Sequence, residues 1–565
     1  MSKFSGSNIK TRPGSGPTGT TEQTITHEGG VGFEKDDKTA LYTLACTDMV
    51  AESTFYEAGT ERYNRLVSLV KSVVADDPAW VASFIPFLRN TANMRSASIV
   101  LAVEYAKAVN DLRSQGVEID APSIRGVINS ACSRADEPAE ILGYWLANHG
   151  RRIPMGVKRG VADAAVRLYN EYGAIKYDGG ARGVRPADVI DLTHPTPVGE
   201  WQSLLFKHLI DRRHNHFDGF TPEQATLLPK LAAMYDIDAT PEGERRALLS
   251  DTGRLADAGY TWERLSGWVP GGMDAGAWES IIPSMGYMAL LRNLRNFEEK
   301  GVSKKALREV EAIIRDPERV AKSRQFPYRF WSAYKNSGSI FFGAALEEAL
   351  DLSCQNIPEF RGRTLVMVDT SGSMQSPVSA NSKVSMVEIA GLFGSAVANR
   401  CGKENVALAM YADSWRECPI SLSVLRTAEA LHGQIGVVGH GTQTWPSTIE
   451  AFNKLGPFDR IVVFTDMQDH PAAVGRGEAM GHYLDPTGPY VGGGTGGQRY
   501  SYGRLPIVEL PDVPIYTWDL RGYRAANLDL NEPGRYLFGG FTDTAFRLIP
   551  LVEVGLDAAW PWQQG

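Results

Sequence analysis

Apolar residues recur at helical spacing through most of the first two thirds of the chain. The clearest stripe is formed by Leu66, Leu69, Val70, Val73 and Val74, whose i, i+3, i+4, i+7, i+8 spacing places them on one helix face. Similar patterns follow after short polar breaks of the length that joins antiparallel helices. Residues 38–356 are therefore predicted to fold as helix after helix, the serial packing of helical-repeat proteins.

The last third of the chain has a different pattern. Four short apolar runs have the length of buried strands, at 365–368, 406–410, 461–464 and 515–518. A helical face lies between the first two runs and contains Met386, Ile389, Phe393 and Ala396. Alternating strands and helices predict an α/β domain with a mostly parallel sheet that is covered on both faces.

Composition limits the class of protein. At 565 residues, with 43% hydrophobic and 22% charged residues, the chain is long enough for two or more folded domains. No segment approaches the roughly 20 apolar residues of a membrane span, and the N-terminus lacks the apolar core of a signal peptide, which together predict a cytoplasmic protein with no membrane partner. Residues 1–28, rich in Gly, Ser, Thr and Pro, are predicted to be a flexible tail.

Candidate metal ligands follow the first apolar run. Asp369, Ser371 and Ser373 offer a carboxylate and two hydroxyls from alternate positions of one loop, the hard oxygens that Mg2+ or another divalent cation prefers. Thr442 adds a third hydroxyl, and Asp466 adds a carboxylate after another buried run. Since ligands of parallel sheets bind outside the carboxyl ends of the strands, these residues are expected to converge.

This set resembles the metal-ion-dependent adhesion site of von Willebrand factor A domains, which have a Rossmann-like fold. The resemblance implies that Ser371, Ser373 and Thr442 bind the ion directly. It implies that Asp369 and Asp466 hold the ion directly or through water.

A local basic excess contrasts with the net charge of −8. Residues 151–185 contain eight Lys or Arg and three acids. The candidates for RNA contact in and after this region are Lys158, Arg159, Lys176, Arg182 and His194. Cations beside an aromatic plane such as Tyr177 suit RNA phosphates and stacked bases, although a solvated helix face is the alternative interpretation. A second basic group, at 207–216, either extends this surface or caps a helix.

Short motifs along the helical region resemble the TROVE module of the Ro autoantigen family. They are Asn93-Met94-Arg95-Ser96, Arg134-Ala135-Asp136-Glu137, Gly150-Arg151-Arg152, Lys176-Tyr177, Leu192-Thr193-His194-Pro195 and Ala289-Leu290-Leu291-Arg292-Asn293-Leu294. The resemblance implies a HEAT-like helical-repeat ring over 29–358, followed by a von Willebrand factor A domain over 359–565.

The same resemblance implies RNA partners. Small non-coding Y-like RNA would bind the outer surface of the ring, where Lys176 and His194 match family positions. The single-stranded ends of misfolded RNA would enter the central hole, for which Arg292 is the candidate. An exoribonuclease is a further partner that the family implies.

Three classes of function remain open on the sequence. The first is a non-catalytic RNA-binding scaffold in RNA quality control. The second is a metal-dependent nuclease or hydrolase, for which His440 is the one candidate base near the metal loop and no second metal is indicated. The third is a protein-adhesion module in which a partner's carboxylate completes the coordination of the ion.

Overall fold

The computed structural model of the chain describes residues 16–47, 52–179, 183–338, 340–355, 357–471, 473–474, 480–484, 490–491, 498–504, 507–541, 546, 548–553 and 559–563. These residues group into two compact units. The α/β unit lies within Met1–Ser72, Phe326–Tyr328 and Ser353–Gly565. The helical unit lies within Val73–Gln325 and Arg329–Leu352.

The N-terminal segment forms a hairpin and two helices: β1 Thr20–Ile25, β2 Val31–Lys35, α1 Asp37–Thr47 and α2 Gly59–Asp76. The strand β1 lies inside the predicted flexible tail, so this prediction was wrong for residues 20–25, while residues 1–15 lie outside the described ranges. Strand β1 is almost entirely polar, so its residues show no alternation of apolar and polar positions that would indicate a strand.

The hairpin belongs to the α/β unit rather than to the helical unit, unlike the predicted boundary at residue 29. The reason is pairing across the length of the chain. β2 forms antiparallel hydrogen bonds with Ala525–Ala526, and Lys35 Nζ lies 2.6 Å from Asp519 Oδ2 with both side chains fully buried. A buried ion pair of this kind is strongly destabilising to break, because either partner alone would be an uncompensated charge.

Helices account for most of the helical unit, as the apolar stripes predict. Their bounds are α3 Pro78–Asn90, α4 Arg95–Ser114, α5 Ile124–Ser130, α6 Glu137–His149, α7 Met155–Leu168, α8 Glu171–Tyr177, α9 Pro186–Thr193, α10 Glu200–Arg213, α11 Pro222–Leu227, α12 Pro229–Asp238, α13 Arg245–Leu248, α14 Thr252–Asp257, α15 Trp262–Trp268, α16 Ala275–Ile281, α17 Tyr287–Glu299, α18 Lys304–Ile314, α19 Pro317–Ser323, α20 Pro327–Ser337 and α21 Ile340–Ser353.

Helix α17 shows how the sequence orients one of these elements. Leu290, Leu291, Leu294 and Phe297 are buried on one side, at spacings of three and four residues. Arg292 falls between them in the sequence and is therefore exposed on another side of the helix. The amphipathic pattern that packs α17 also presents its arginine outward.

The α/β unit is built on one six-stranded sheet, in the order β14-β12-β6-β3-β4-β5. Its elements are β3 Thr364–Asp369, α22 Met386–Cys401, β4 Val406–Tyr411, β5 Trp415–Glu417, α23 Val424–His432, α24 Thr444–Leu455, β6 Arg460–Thr465, β7 Ala473–Val474, β8 Met480–Leu484, β9 Tyr490–Val491, β10 Gln498–Arg504, β11 Ile507–Val508, β12 Ile515–Asp519, β13 Ala525–Ala526, β14 Arg535–Gly539 and α25 Leu548–Glu553.

The predicted α/β architecture is confirmed. Strands β3, β4, β6 and β12 coincide with the four apolar runs and pair in parallel, and β5 is the antiparallel edge strand. Helix α22 carries the predicted apolar face, and its first turn is fixed by a capping box between Ser385 and Glu388. None of the helices in the described ranges combines the length and hydropathy that crossing a bilayer requires.

Candidate functional site

The candidate metal loop, which contains Asp369, Ser371 and Ser373, begins where β3 ends. Asp369 Oδ1 accepts a hydrogen bond from the Ser371 backbone N–H at 2.9 Å, and Asp369 Oδ2 accepts one from the Thr465 hydroxyl at 2.6 Å. The hydroxyls of Ser371 and Ser373 lie 3.3 Å apart. The loop therefore aims a carboxylate and two hydroxyls at one region, as the Asp-x-Ser-x-Ser spacing predicts.

Backbone hydrogen bonds bring the other two ligand segments to this loop. The Gly372 N–H donates to the His440 carbonyl at 2.8 Å, and the His470 N–H donates to the Thr442 carbonyl at 2.9 Å. Asp413 accepts from the N–H groups of His440 and Gly441 at 3.0 and 3.1 Å, which fixes the turn before Thr442. Three separate loops at the carboxyl edge of the sheet thus converge.

All five predicted ligands are buried: Asp369, Ser371, Ser373, Thr442 and Asp466 are each at most 4% exposed. Asp466 Oδ2 has no hydrogen-bond partner among the described residues. Burial raises the pKa of Asp369. Burial and the nearby charge of Asp369 raise the pKa of Asp466 to about 7. Two carboxylates buried together disfavour each other's ionisation.

A divalent cation would reverse this disadvantage, because a bound cation favours the ionised carboxylates and satisfies the orphaned oxygen of Asp466. Within the described ranges, no group of three or more His, Cys, Asp or Glu side chains is arranged to hold an ion. A cation here would depend on the hydroxyls of Ser371, Ser373 and Thr442 as well as the two carboxylates. The donor set is one of hard oxygens and fits Mg2+.

Sequence reasoning missed a third buried acid beside the site, Asp469. Its side chain accepts hydrogen bonds from the Thr444 hydroxyl and, at 3.2 Å, from Asn527. Burial raises the pKa of Asp469 to about 8, and the charges of Asp369 and Asp466 add to the rise. The only sequence signal was a second acid within the four residues that follow β6.

In the helical unit, Lys176 has the surroundings expected of an RNA contact. It is exposed near the end of α8, and its Nζ lies 5.6 Å from the centre of the Tyr172 ring and 5.4 Å from that of Tyr177. Tyr172 is itself 44% exposed. A cation and an aromatic face are thus available side by side on the surface.

The remaining predicted RNA residues differ in how exposed they are. Arg159 and His194 are exposed and Lys158 is partly exposed, and the packing of α7 against α9 brings the two cations and His194 onto neighbouring helices. His194 ends α9 in a left-handed conformation, with φ +48°. Arg182 lies outside the described residues.

Two arginines of the second basic group, residues 207–216, form ion pairs with acids of the helical unit. Asp178 pairs with both Arg185 and Arg212, at 2.8 and 2.9 Å, and Asp188 pairs with Arg213 at 2.9 Å. His208 is buried. These pairings favour the helix-capping interpretation of residues 207–216 over an extended RNA surface.

Arg292 lines a cavity of about 260 Å³ in the helical unit. The cavity is also lined by Arg295 and Arg329, and by the polar side chains of Ser332 and Asn336. Arg292 forms no ion pair with any described residue. Arg292 is exposed, whereas its neighbour Asn293 is buried and donates its amide to the Ala289 carbonyl at 2.8 Å.

A larger cavity of about 460 Å³ adjoins this one along α17, since Met288 lines both. It is lined by Lys176, Arg319 and Lys322 and by the aromatic rings of Tyr172 and Trp262. The two cavities thus present three cations each, against one acid, Glu263. We call this pair of cavities the α17 groove.

Comparison with known proteins bears on this region directly. Residues 257–340, which contain α17 and most of the groove, match the TROVE domain. This segment of the chain is similar to the TROVE domain. This finding confirms the family resemblance that the short motifs indicate.

The chain is also similar in structure to the Deinococcus radiodurans RO (RSR) protein, with a TM-score of 0.55 over 92% of this chain and 99% of that chain. Their sequences are 15% identical, so the likeness shows the fold. The match covers both the helical region and the Rossmann-like α/β domain of this chain. No curated protein sequence matches the chain.

Proposed function

We propose that this TROVE protein is a non-catalytic RNA-binding scaffold that acts in RNA quality control in the cytoplasm. The observation that carries the proposal is the α17 groove, where six cations and four aromatic side chains line two adjoining cavities, most of whose lining lies within the segment that matches the TROVE domain. The similarity in fold to a Ro protein supports the same proposal.

The chemistry of the groove suits single-stranded RNA ends. Phosphates would pair with Arg292, Arg329 and Lys176, while unstacked bases would pack on Tyr172 or Trp262. Backbone charge and base stacking of this kind give binding that tolerates many sequences, as capture of misfolded RNA requires. Arg295 and Lys322 also have acidic neighbours one helical turn away, at 2.6 and 3.2 Å. Such exposed pairs contribute only about 0–1 kcal/mol and leave these cations available.

A structured, Y-like RNA would bind the surface of α7, α8 and α9, through Lys158, Arg159, Lys176 and His194. Recognition there would be by backbone contacts and shape, since double-stranded RNA offers its base edges poorly to side chains. The proposal also includes an exoribonuclease partner, which rests on the family resemblance alone.

The metal-dependent nuclease is the weaker candidate. The His440 ring lies 3.2 Å from the Gln375 side chain on the exposed rim of the metal loop, which already explains its position. Both carboxylate oxygens of Asp369 already accept hydrogen bonds, from the Ser371 N–H and the Thr465 hydroxyl.

The test is RNA binding by Arg292→Ala, with Arg308→Ala as the matched control. Arg308 is an exposed arginine on α18 that lies outside both cavities. A lost single-strand phosphate contact lowers the salt slope by about 0.7, so the ratio of wild-type to variant affinity should shrink about 2.6-fold as salt rises from about 50 to about 200 mM.

Crosslinking in cells, followed by sequencing of bound RNA, tests the proposal as a whole. We expect small structured RNAs and RNA 3′ or 5′ ends among the crosslinked fragments. Recovery of no RNA above background would refute the scaffold function. Equal losses in Arg292→Ala and Arg308→Ala would refute the role of the groove.

A further inference from the structure

The N-terminal hairpin is bound to the loop that carries Asp466. The Asp469 carbonyl accepts hydrogen bonds from the Thr26 hydroxyl at 2.6 Å and from the Gly30 N–H at 3.1 Å. The His27 N–H donates to Gln468 Oε1 at 2.8 Å. Gly30 permits this approach, because a Cβ at that position would lie 2.3 Å from the Asp469 carbonyl oxygen.

This docking places Glu28, at the tip of the hairpin, on the rim of the metal site. Its carboxylate accepts a hydrogen bond from the Tyr56 phenol and lies 3.6 Å from His470 Nε2. The Tyr56 ring stacks on His27 at a centroid distance of 5.1 Å and meets the Tyr523 ring edge-on at 5.5 Å. Tyr56 is therefore held in place by packing as well as by its hydrogen bond.

The Tyr56 phenol extends from the rim toward two of the metal ligands. Burial, the hydrogen bond to Glu28 and the charge of Asp466 raise the pKa of Tyr56, and a hydrogen bond with Ser373 opposes the rise. Nearby, Glu52 accepts a hydrogen bond from the Ala380 N–H at 2.9 Å. The segment before Tyr56 is therefore also hydrogen-bonded to the segment that follows the candidate metal loop.

An adhesion-type site must be accessible, since a partner's carboxylate has to reach the ion. Here none of the five ligand side chains is more than 4% exposed, and Asp466 Oδ2 is buried without a partner. Glu28 and Tyr56 of the same chain lie at the rim of this buried set of side chains.

We propose that Tyr56 and Glu28 are part of the metal site and close it from within the chain, in place of a partner's carboxylate. With a cation bound, Glu28 would add a negative charge at the rim of the site, and Tyr56 would add a phenol that is hydrogen-bonded to Glu28. The site would then serve to fix the N-terminal hairpin to the α/β unit and would not recruit a carboxylate from another protein.

The experiment measures Mn2+ binding by titration calorimetry and the water-proton relaxation of the bound Mn2+, on the full chain. The variants are Glu28→Gln and Tyr56→Phe. Since groups that support metal ligands typically contribute 10-fold to 100-fold in metal affinity, each variant should bind Mn2+ about 10-fold more weakly or worse. Relaxation should rise, because water gains access to the ion.

Glu22→Gln is the matched control: it removes one exposed carboxylate from β1 of the same hairpin. Gly30→Ala gives a second test, since it displaces the docked turn while it retains both Glu28 and Tyr56. Thermal unfolding confirms that each variant is folded. We expect Gly30→Ala to raise relaxation and Glu22→Gln to change nothing.

Unchanged Mn2+ affinity and relaxation in Glu28→Gln and Tyr56→Phe would overturn the proposal, as would a wild-type chain that binds no divalent cation. A response of wild-type relaxation to added acetate would also overturn it, because an open position would then exist. The proposal does not rest on RNA binding, so RNA affinity measured on the same variants separates its failure from failure of the scaffold function.

Discussion

His208 should make the stability of the chain depend on pH in the acidic range. It is 2% exposed on α10, and its ring lies 4.4 Å from Phe217, 5.1 Å from Phe220 and 5.7 Å from Tyr235, measured between centroids. Neither ring nitrogen has a hydrogen-bond partner among the described residues. The neutral imidazole is therefore the form that this aromatic cluster accommodates.

The size of the stability loss at acidic pH follows from the pKa of His208. Burial, with a smaller effect of Arg212, lowers the pKa of His208 from 6.5 to about 4. Between these values the unfolded chain binds the proton and the folded chain does not, so stability is full above about pH 6.5 and falls as the pH decreases. At pH 5 the loss is about 2 kcal/mol, and it approaches roughly 3.4 kcal/mol below pH 4, where both states are protonated.

The assay is urea unfolding at several pH values between about 4 and 7.5. His208→Leu removes the titrating group, so its free energy of unfolding should not show the loss that wild type shows at acidic pH. Relative to wild type, the variant should therefore gain about 2 kcal/mol between pH 7 and pH 5. His216→Leu, an exposed histidine after the same helix, controls for loss of a histidine. A difference that stays constant with pH would refute the reasoning.

Three further predictions concern the candidate sites. Lys176→Ala combined with His194→Ala should weaken a structured RNA and lower the salt slope by about one unit per lost phosphate contact; an unchanged slope with lowered affinity would exclude direct phosphate contact. Purified protein with Mg2+ or Mn2+ should leave single-stranded and structured RNA intact on a denaturing gel, whereas cleavage that disappears in Asp369→Ala would establish a nuclease. Asp369→Ala and Asp466→Ala should each abolish divalent binding in calorimetry and leave RNA affinity within about twofold, since each deletes a carboxylate that would balance the ion; retained binding in both would show that the ligands lie elsewhere.

The sequence predicted those features that depend on local periodicity. Strands β3 and β6 are apolar at almost every position because both faces of the sheet are covered, so their runs could be recognised without a structure. The candidate ligands Asp369 and Asp466 come directly at the ends of those strands. Parallel strands place such ends on one edge, which is why the convergence of these two carboxylates was predictable.

Features that depend on distant pairing were not predictable. Arg212 looked like part of a basic surface, because its partner Asp178 lies 34 residues away in the sequence. Strand β1 is polar, and its position depends on contacts with residues near 525 and 529, such as the Thr20 hydroxyl donating to Asp529 at 2.7 Å. No window of sequence contains both halves of such an interaction.

The net charge of −8 clarifies what the α17 groove can contribute. An acidic protein repels RNA over most of its surface, so a local group of cations binds without strong competition from adsorption elsewhere on the same molecule. The affinity of such a group is limited to a few phosphate contacts and falls with salt. Stacking on Tyr172 and Trp262 is less dependent on salt, and it requires bases that are already unpaired. Under the proposed function, the combination of few cations with accessible aromatic rings would therefore favour single-stranded ends over intact duplex, which is the discrimination that recognition of misfolded RNA needs.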